Sequence, residues 1–346
     1  MNVMKAAELL IDKIKKDYKD DIAIVVIMGS HLYQATHAKS DLDLYFIPKT
    51  DRGFQLGTVF IIDGIGFDFW PISWDRISRI ASHDERIGAI ITEGQVIYHG
   101  NEEDLVQFNQ YKAKALDVSN IGHFIWKARE KMKSSYATYH EFERAVNLSE
   151  VRLSGIKLIY HITEALSLLN RVTIKRGRGK LLKEILEMPM VRKDFEKQYH
   201  ILFDSQDIHR IKTSLSSMFE NTQDLINRSE SDHLQGTFKD EAHGFYEELI
   251  NYYNKIERAY HIGDHQTALF AAAEINIELY GILGNRGVDL SQLPDLMAAY
   301  DKTNLKQLYE ASKIHQKKLV ELLQHEGVKI REFKDEHALK TYLDTL

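Results

Sequence analysis

Residues 22–47 have the sequence IAIVVIMGSHLYQATHAKSDLDLYFI, and this stretch decides the fold of the first part of the chain. The apolar run at residues 22–28 predicts a buried strand, and Gly29-Ser30 predicts a turn at its end. Residues 40–47 predict a second strand, in which apolar and polar residues alternate at the start. A strand, a turn and a second strand within 26 residues indicate an N-terminal domain that contains a sheet.

Asp41 and Asp43 are two residues apart on the second predicted strand, so their carboxylates are expected on the same face. Mg²⁺ binds one or two carboxylates and completes its coordination with water and substrate phosphates. The backbone N–H groups around Gly29-Ser30 are expected to face phosphate oxygens if a helix begins there. The pattern therefore predicts a site for Mg²⁺ and a nucleoside triphosphate.

A third carboxylate is expected from a hairpin that follows. Residues 58–62 and 65–70 are apolar runs joined by Asp63-Gly64, a pair that is typical of a type I′ turn. Asp63 is therefore assigned to the turn. Asp68 lies on the second strand among aromatic residues, where a charge is costly unless it is paired or bound to metal. We expect Asp68 to be the third metal ligand, with a hydrogen-bonded edge-strand carboxylate as the alternative.

Residues 28–44, MGSHLYQATHAKSDLDL, resemble the Gly-Ser, spacer, Asp-x-Asp signature of the nucleotidyltransferases of the DNA polymerase β superfamily. Within that superfamily, the layout is most similar to the antibiotic adenylyltransferases, such as the kanamycin, streptomycin and lincosamide enzymes. The resemblance implies transfer of a nucleoside monophosphate, AMP from ATP, to a hydroxyl of a small molecule such as an aminoglycoside-like antibiotic, with release of pyrophosphate. It covers only about the first third of the chain.

The resemblance also implies roles for individual residues. Two Mg²⁺ ions and ATP or another NTP are the expected cofactor and co-substrate, with Asp41 and Asp43 bridging the ions and Asp68 holding one of them. Ser30 would donate a hydrogen bond to a β- or γ-phosphate oxygen. The implied catalytic and metal-binding residues are Asp41, Asp43 and Asp68. The expected nucleotide-binding residues are Gly29, Ser30, Ser40 and Lys39, the last as one of several cations that could neutralise the triphosphate.

The chain changes character near residues 116–120. Short strand and helix patterns precede this point, and long amphipathic helices follow it. We therefore predict an α+β protein with a mixed-sheet nucleotidyltransferase domain at residues 1–118 and an all-α helical-bundle domain, which would bind the acceptor, at residues 119–346. The helical stripe Leu153, Ile156, Ile159, Ile162, Leu166 and Leu169 is expected to form part of its core.

Composition limits the function classes. The chain has 346 residues, 44% of them hydrophobic, and a net charge of −6. A length above 300 residues favours two domains, and the negative charge argues against a nucleic-acid partner. There is no cysteine and no apolar run long enough for a membrane span, which leads us to expect a cytoplasmic protein without a membrane partner. A homodimer remains open.

Several alternatives remain open at this stage. The general base could be any of four acids at the start of the helical part: Glu130, Glu141, Glu143 and Glu150. A cationic segment could bind phosphate or be solvated, and its residues are Lys175, Arg176, Arg178 and Lys180. The chain could also be a non-catalytic nucleotide-binding or interaction module, such as the antidote of a toxin–antitoxin pair, or an enzyme that nucleotidylates a protein.

Overall fold

The computed structural model describes residues 4–33, 40–234, 242–283 and 288–345, without the side chains of Ser30 and Leu234. The chain forms two compact units, Met1–Ile226 and Asn227–Leu346. The first combines a mixed sheet with helices and the second is helical over the part that is described, so the protein has the predicted α+β composition.

The sheet has five strands in the order β3-β4-β2-β1-β5. Strand β1 is antiparallel to both β2 and β5, β2 is parallel to β4, and β3 is antiparallel to β4. The strands are β1 (Ile22–Ile27), β2 (Leu44–Pro48), β3 (Thr58–Ile62), β4 (Ile65–Pro71) and β5 (Gln95–His99). The predicted mixed sheet is therefore present.

The turn between β3 and β4 is the one that the sequence predicts. Asp63 and Gly64 have φ angles of 53° and 73°, and two successive positive values are the mark of a type I′ turn. Asp63 has its place in this turn because aspartate tolerates the left-handed conformation better than most residues.

Helices complete the first unit. They are α1 (Met4–Asp17), α2 (Asp51–Phe54), α3 (Trp74–Ala81), α4 (Ala89–Thr92), α5 (Glu102–Leu116), α6 (Ile121–Ser134), α7 (Tyr136–Arg144), α8 (Leu148–Leu169), α9 (Leu181–Leu186), α10 (Phe195–Asp204) and α11 (Ile208–Leu234), the last of which extends beyond residue 226. Short 3₁₀ helices lie at Gly29–His31 and Arg178–Lys180. The predicted boundary at residue 118 falls between α5 and α6, inside this unit.

Both faces of the sheet carry buried side chains. One face packs with α1, and its cluster includes Ile14, Leu44 and Phe69. The opposite face packs with α3 and α5, and its cluster includes Tyr45 and Phe108. Alternate residues of β2 enter opposite clusters, as the two-residue period of a strand requires.

A separate cluster of the first unit lies around α8. The stripe predicted for this helix is wrong at its start, because Leu153 is 62% and Ile156 is 39% exposed. The buried face begins with Val151 and Leu158 instead and continues through Ile159. Apolar residues occur on several sides of α8, so its helical period alone could not select the buried side.

The second unit has one core formed by α12 (Phe245–Ile262), α13 (His265–Ile282) and α14 (Lys306–His325), and α15 (Glu336–Leu343) follows. Within this core the hydroxyl of Tyr253 lies 2.7 Å from Nδ1 of His315. Both side chains are buried, and burial lowers the pKa of His315 to about 4. Throughout the described ranges, no helix combines the length and apolar composition needed to cross a bilayer.

Candidate functional site

The turn after β1 packs closely against Asp43 in the candidate site. Gly29 has φ +76°, and a Cβ built on it would overlap Oδ2 of Asp43 and lie 2.7 Å from its Cγ. The backbone N–H of Met28 donates to the carbonyl oxygen of Asp43 at 2.9 Å. Only glycine both adopts this backbone conformation readily and leaves space for the carboxylate. Gly29 and Asp43 are therefore packed against each other as one structural unit.

The second predicted strand begins later than expected. Strand β2 starts at Leu44, so Asp41 and Asp43 precede the strand. The physical reason is that Leu44 already pairs with Ile27, the last residue of β1. Beyond this pair the Met28 amide donates to the Asp43 carbonyl oxygen. Leu42 is buried in the same cluster as Leu44, whereas Asp41 and Asp43 are each partly exposed.

The register between β2 and β4 begins one residue after both Asp43 and Asp68. Leu44 on β2 pairs with Phe69 on β4, and both side chains belong to the same buried cluster. Asp43 and Asp68 are the residues immediately before this pair; Asp68, which lies inside β4, points to the face opposite Phe69. Tyr45, which follows Leu44 on β2 and pairs with Trp70, lies on that face too.

Asp68 is exposed, which corrects the expectation of a charge buried among aromatic residues. Its aromatic neighbours Phe67 and Phe69 point to the other face, where they are buried. On the face of Asp68, the paired residue Val59 is 74% exposed, and a Cβ built on Gly66 would meet no atom within 4 Å. This part of the sheet is therefore open, with room for a ligand above Asp68.

The predicted carboxylates are not gathered into a preformed metal site. Across the described residues, no group of three or more His, Cys, Asp or Glu side chains is arranged to hold a metal ion. Lys39 lies outside the described residues, and only the backbone of Ser30 is described, within the 3₁₀ helix. Ser40 is partly exposed. In the same 3₁₀ helix, Nε2 of His31 is buried and has no hydrogen-bond partner in the described part of the chain.

The cationic segment that follows α8 contacts the region around the Gly29 turn. The guanidinium carbon of Arg176 lies 5.4 Å from the ring centroid of Tyr33, two residues after the 3₁₀ helix. Nζ of Lys175 lies 2.9 Å from a carboxylate oxygen of Glu93. The carboxylate of Glu184 accepts the backbone N–H groups of Lys175 and Arg176 at 2.7 and 2.9 Å, which fixes the start of the segment.

These contacts occur at the edge of the sheet where Asp43 lies, at the end of β1 and the starts of β2 and β5. Ile27 pairs with Leu44 on one side and with Gln95, the first residue of β5, on the other. Glu93 precedes β5 by two residues, so the Lys175–Glu93 ion pair lies at the strand ends that also carry Asp43. Burial raises the pKa of Tyr33 above its ordinary value, Glu93 and Glu184 raise it further, and Arg176 opposes them.

Sequence reasoning missed three residues of this arrangement: Tyr33, Glu93 and Glu184. Tyr33 is inside the quoted motif, and its aromatic ring next to the turn predicted to bind phosphate was an available signal. Glu93 and Glu184 have no local signal, because their partners lie 82 and 8 or 9 residues away in the chain and the shared geometry arises only from folding.

The acids that were candidates for the general base each have a partner within the protein. Glu130 pairs with Lys133 at 2.8 Å, and Glu150 accepts the backbone N–H of Val146 at 2.9 Å. Glu143 accepts a hydrogen bond from Ser216, and Glu141 lies 3.5 Å from Lys157. A different acid, Glu164 on α8, is buried and lies 2.9 Å from Lys131. Burial raises the pKa of Glu164, and Lys131 partly offsets this effect.

Comparison with known proteins gives limited information. No protein-family model matches the chain. The search of curated proteins also finds no match. Among solved structures, the chain is similar to the crystal structure of a nucleotidyltransferase-like protein from Exiguobacterium sibiricum 255-15 at 1.90 Å resolution. The match has 13% sequence identity and a TM-score of 0.35, and it covers 66% of this chain and 80% of that chain.

Proposed function

We propose that the protein is a Mg²⁺-dependent nucleotidyltransferase that moves a nucleoside monophosphate, AMP from ATP, to a hydroxyl of a small molecule. The observation that carries the proposal is the close packing of the Asp43 carboxylate against Gly29. Gly29 has no Cβ, and the Asp43 carboxylate lies in the space that a Cβ would occupy. The resemblance of residues 28–44 to the nucleotidyltransferase signature supports the same conclusion, as do the positions of Asp43 and Asp68, each one residue before the paired Leu44 and Phe69.

The donor set fits Mg²⁺ by its chemistry, because Asp41, Asp43 and Asp68 offer only carboxylate oxygens. When Mg²⁺ is bound, it supplies charge neutralisation at the phosphate oxygens. The protein residues have to position the substrates, since phosphoryl transfer asks for alignment and electrostatic stabilisation more than for covalent chemistry. Asp43 would be held in place by Gly29, and Ser30 would orient a phosphate of the nucleotide.

The acceptor would bind where the sheet is open. Val59, Ile61 and Gly66 leave the face of Asp68 uncovered, so an acceptor hydroxyl has space to approach from that side. The resemblance suggests an aminoglycoside-like antibiotic as one acceptor to test. A protein acceptor and a non-catalytic nucleotide-binding role are the alternative outcomes of the same test.

Two measurements test the proposal. The first is the melting temperature of the full chain with each of the four NTPs, with and without Mg²⁺, because a ligand that binds only the folded state raises it. The second is pyrophosphate release across a panel of hydroxyl compounds. If an NTP binds but no compound of the panel leads to pyrophosphate release, the non-catalytic role is favoured. No stabilisation by any NTP with Mg²⁺ would contradict the proposal.

Replacement of Ser30 by alanine is expected to weaken nucleotide binding without abolishing it. One hydrogen bond to a charged phosphate contributes about 1.5 to 3 kcal/mol, which corresponds to a roughly tenfold to hundredfold increase in Kd. Calorimetric titration with ATP and Mg²⁺ measures the change. Ser134→Ala, which alters an exposed serine on α6, is the control and should bind ATP like the wild type. An unchanged Kd in Ser30→Ala would remove this hydrogen bond from the proposal.

Replacement of Asp68 by alanine is expected to remove most of the Mg²⁺-dependent stabilisation that the wild type shows with ATP. The side chain is exposed, so its loss should not lower the stability of the protein without ligands. Melting curves with ATP, in the presence of Mg²⁺ or of EDTA, measure this difference. Asp63→Asn keeps a residue suited to the type I′ turn and serves as the matched control. Full Mg²⁺ stabilisation in Asp68→Ala would place the third ligand elsewhere.

A further inference from the structure

A cavity of about 380 Å³ lies between Tyr33 and the chain segment 172–188, and we call it the loop cavity. Its volume is within the range of sites for small molecules. Val172 and Met188 supply apolar lining, and the charged lining consists of four cationic side chains and two acidic ones. In a chain whose net charge is −6, this excess of positive charge is local.

The two acidic side chains of the loop cavity are already engaged. Glu184 accepts two backbone N–H groups, at 2.7 and 2.9 Å, as described above. Glu187 lies 3.9 Å from Nζ of Lys183, another lining residue. Their charges are therefore directed at groups of the protein itself.

Two of the four cations of the loop cavity, Arg176 and Lys180, are not neutralised by an acidic side chain in the described part of the chain. Lys175 is paired with Glu93. Glu184 contacts only the backbone N–H of Arg176, and within the described residues no carboxylate forms an ion pair with the guanidinium of Arg176 or with Nζ of Lys180. Arg176 instead lies over the ring of Tyr33. Two cations beside an aromatic ring form a surface that attracts an anion, and the ring offers a face for a planar group or an apolar body.

The positive charge continues on the other side of the same segment. A second cavity of about 200 Å³ shares Lys175 and Arg176 with the loop cavity and adds Arg86 and Arg178, and no acidic side chain lines it among the described residues. Arg86 lies over the ring of Tyr160, with its guanidinium carbon 3.9 Å from the ring centroid. The segment is thus bordered by positive charge on two sides.

We propose that the loop cavity binds a phosphate-bearing substrate of the transfer reaction and that a polycationic acceptor does not enter it. The role given to the ligand rests on the proposed function. The segment lies near the proposed transfer site because the Lys175–Glu93 pair brings it to the same strand ends as Asp43. The phosphate groups could belong to the donor nucleotide or to a phosphorylated acceptor. Arg176 and Lys180 would donate hydrogen bonds to them in either case, and a polycation would meet repulsion from both.

The test is calorimetric titration of the full chain in EDTA, so that Mg²⁺ makes no contribution. The probes are tripolyphosphate, ATP, glycerol 3-phosphate and, as a polycation, kanamycin. We compare the wild type with Arg176→Ala/Lys180→Ala and with the control Lys193→Ala/Lys197→Ala, which removes two exposed cations from the same unit. We expect at least one phosphate probe to bind the wild type and the control equally and the cavity variant at least about tenfold more weakly.

The pattern across probes identifies the source of the phosphate. A loss confined to ATP and tripolyphosphate assigns the loop cavity to the donor nucleotide, and a loss with glycerol 3-phosphate but not ATP assigns it to a phosphorylated acceptor. The proposal is overturned if no phosphate probe binds the wild type, if the cavity variant binds all of them as tightly as the wild type does, or if kanamycin binding depends on Arg176 and Lys180.

The same titrations in Asp43→Asn separate this inference from the proposed function. The loop cavity does not include Asp43, and removal of a negative charge cannot weaken an anion site, so anion binding in EDTA should not be lost in that variant. If anion binding depends on Arg176 and Lys180 but no pyrophosphate is released, the proposed nucleotidyl transfer is contradicted and the loop-cavity assignment is not. Pyrophosphate release with wild-type kinetics in Arg176→Ala/Lys180→Ala, with anion binding unchanged, would contradict the loop-cavity assignment alone.

Discussion

Replacement of Asp43 by asparagine is expected to abolish nucleotidyl transfer while the protein stays folded. Asparagine has nearly the shape of aspartate, so it still fits against Gly29, but it carries no charge for Mg²⁺ or for the electrostatics of transfer. The rate of pyrophosphate release should fall on the order of a thousandfold or more. A coupled pyrophosphate assay measures the rate, and thermal melting without ligand verifies that the fold is retained.

Asp63→Asn makes the same chemical change in the turn between β3 and β4 and should keep wild-type activity, whereas Asp41→Asn should behave like Asp43→Asn. Turnover at the wild-type rate in purified, folded Asp43→Asn would remove this residue from the mechanism. Loss of folding in that variant would instead show that the charge is needed for structure.

The sheet could be predicted from the sequence because its signals are local. Residues 22–28 form an uninterrupted apolar run, Asp63-Gly64 can form a type I′ turn, and Phe67 and Phe69 alternate with exposed residues. Each of these signals depends on neighbours within a few positions, and the observed strands and turn follow them.

The start of β2 and the exposure of Asp68 could not be predicted in the same way. Whether Asp41 and Asp43 pair depends on where β1 ends in the register, and that end is fixed by the turn at Gly29. The exposure of Asp68 depends on which part of the sheet the helices cover. Alternation along one strand specifies two faces, but it does not say which of them is covered.

The loop cavity was beyond prediction for a related reason. Its cationic segment was visible in the sequence as a charged loop, but a charged loop is usually solvated. What distinguishes it is the contact of Arg176 with Tyr33, 143 positions earlier, and of Lys175 with Glu93. Contacts at such separations follow from the packing of α8 and its neighbours against the rest of the first unit.

The second large effect is expected at Gly29, where two independent costs of a side chain meet. At φ +76°, a residue other than glycine pays for a backbone conformation that it rarely adopts, and such strain costs about 1 to 3 kcal/mol. In addition, the new Cβ would displace the Asp43 carboxylate, which lies in the space it would occupy. The first cost occurs at any glycine with this φ, whereas the second is specific to the candidate site.

Gly29→Ala is therefore expected to lower the melting temperature by several degrees and to abolish pyrophosphate release, because the carboxylate must move. Gly263→Ala, at φ +72° with no atom within 4 Å of the new Cβ, carries the strain without the overlap and should keep full activity. In Gly29→Ala/Asp43→Ala the overlap is gone, so part of the lost stability should return while activity stays absent. If the double variant is destabilised by the sum of its single variants, the contact between Gly29 and Asp43 does not contribute to stability.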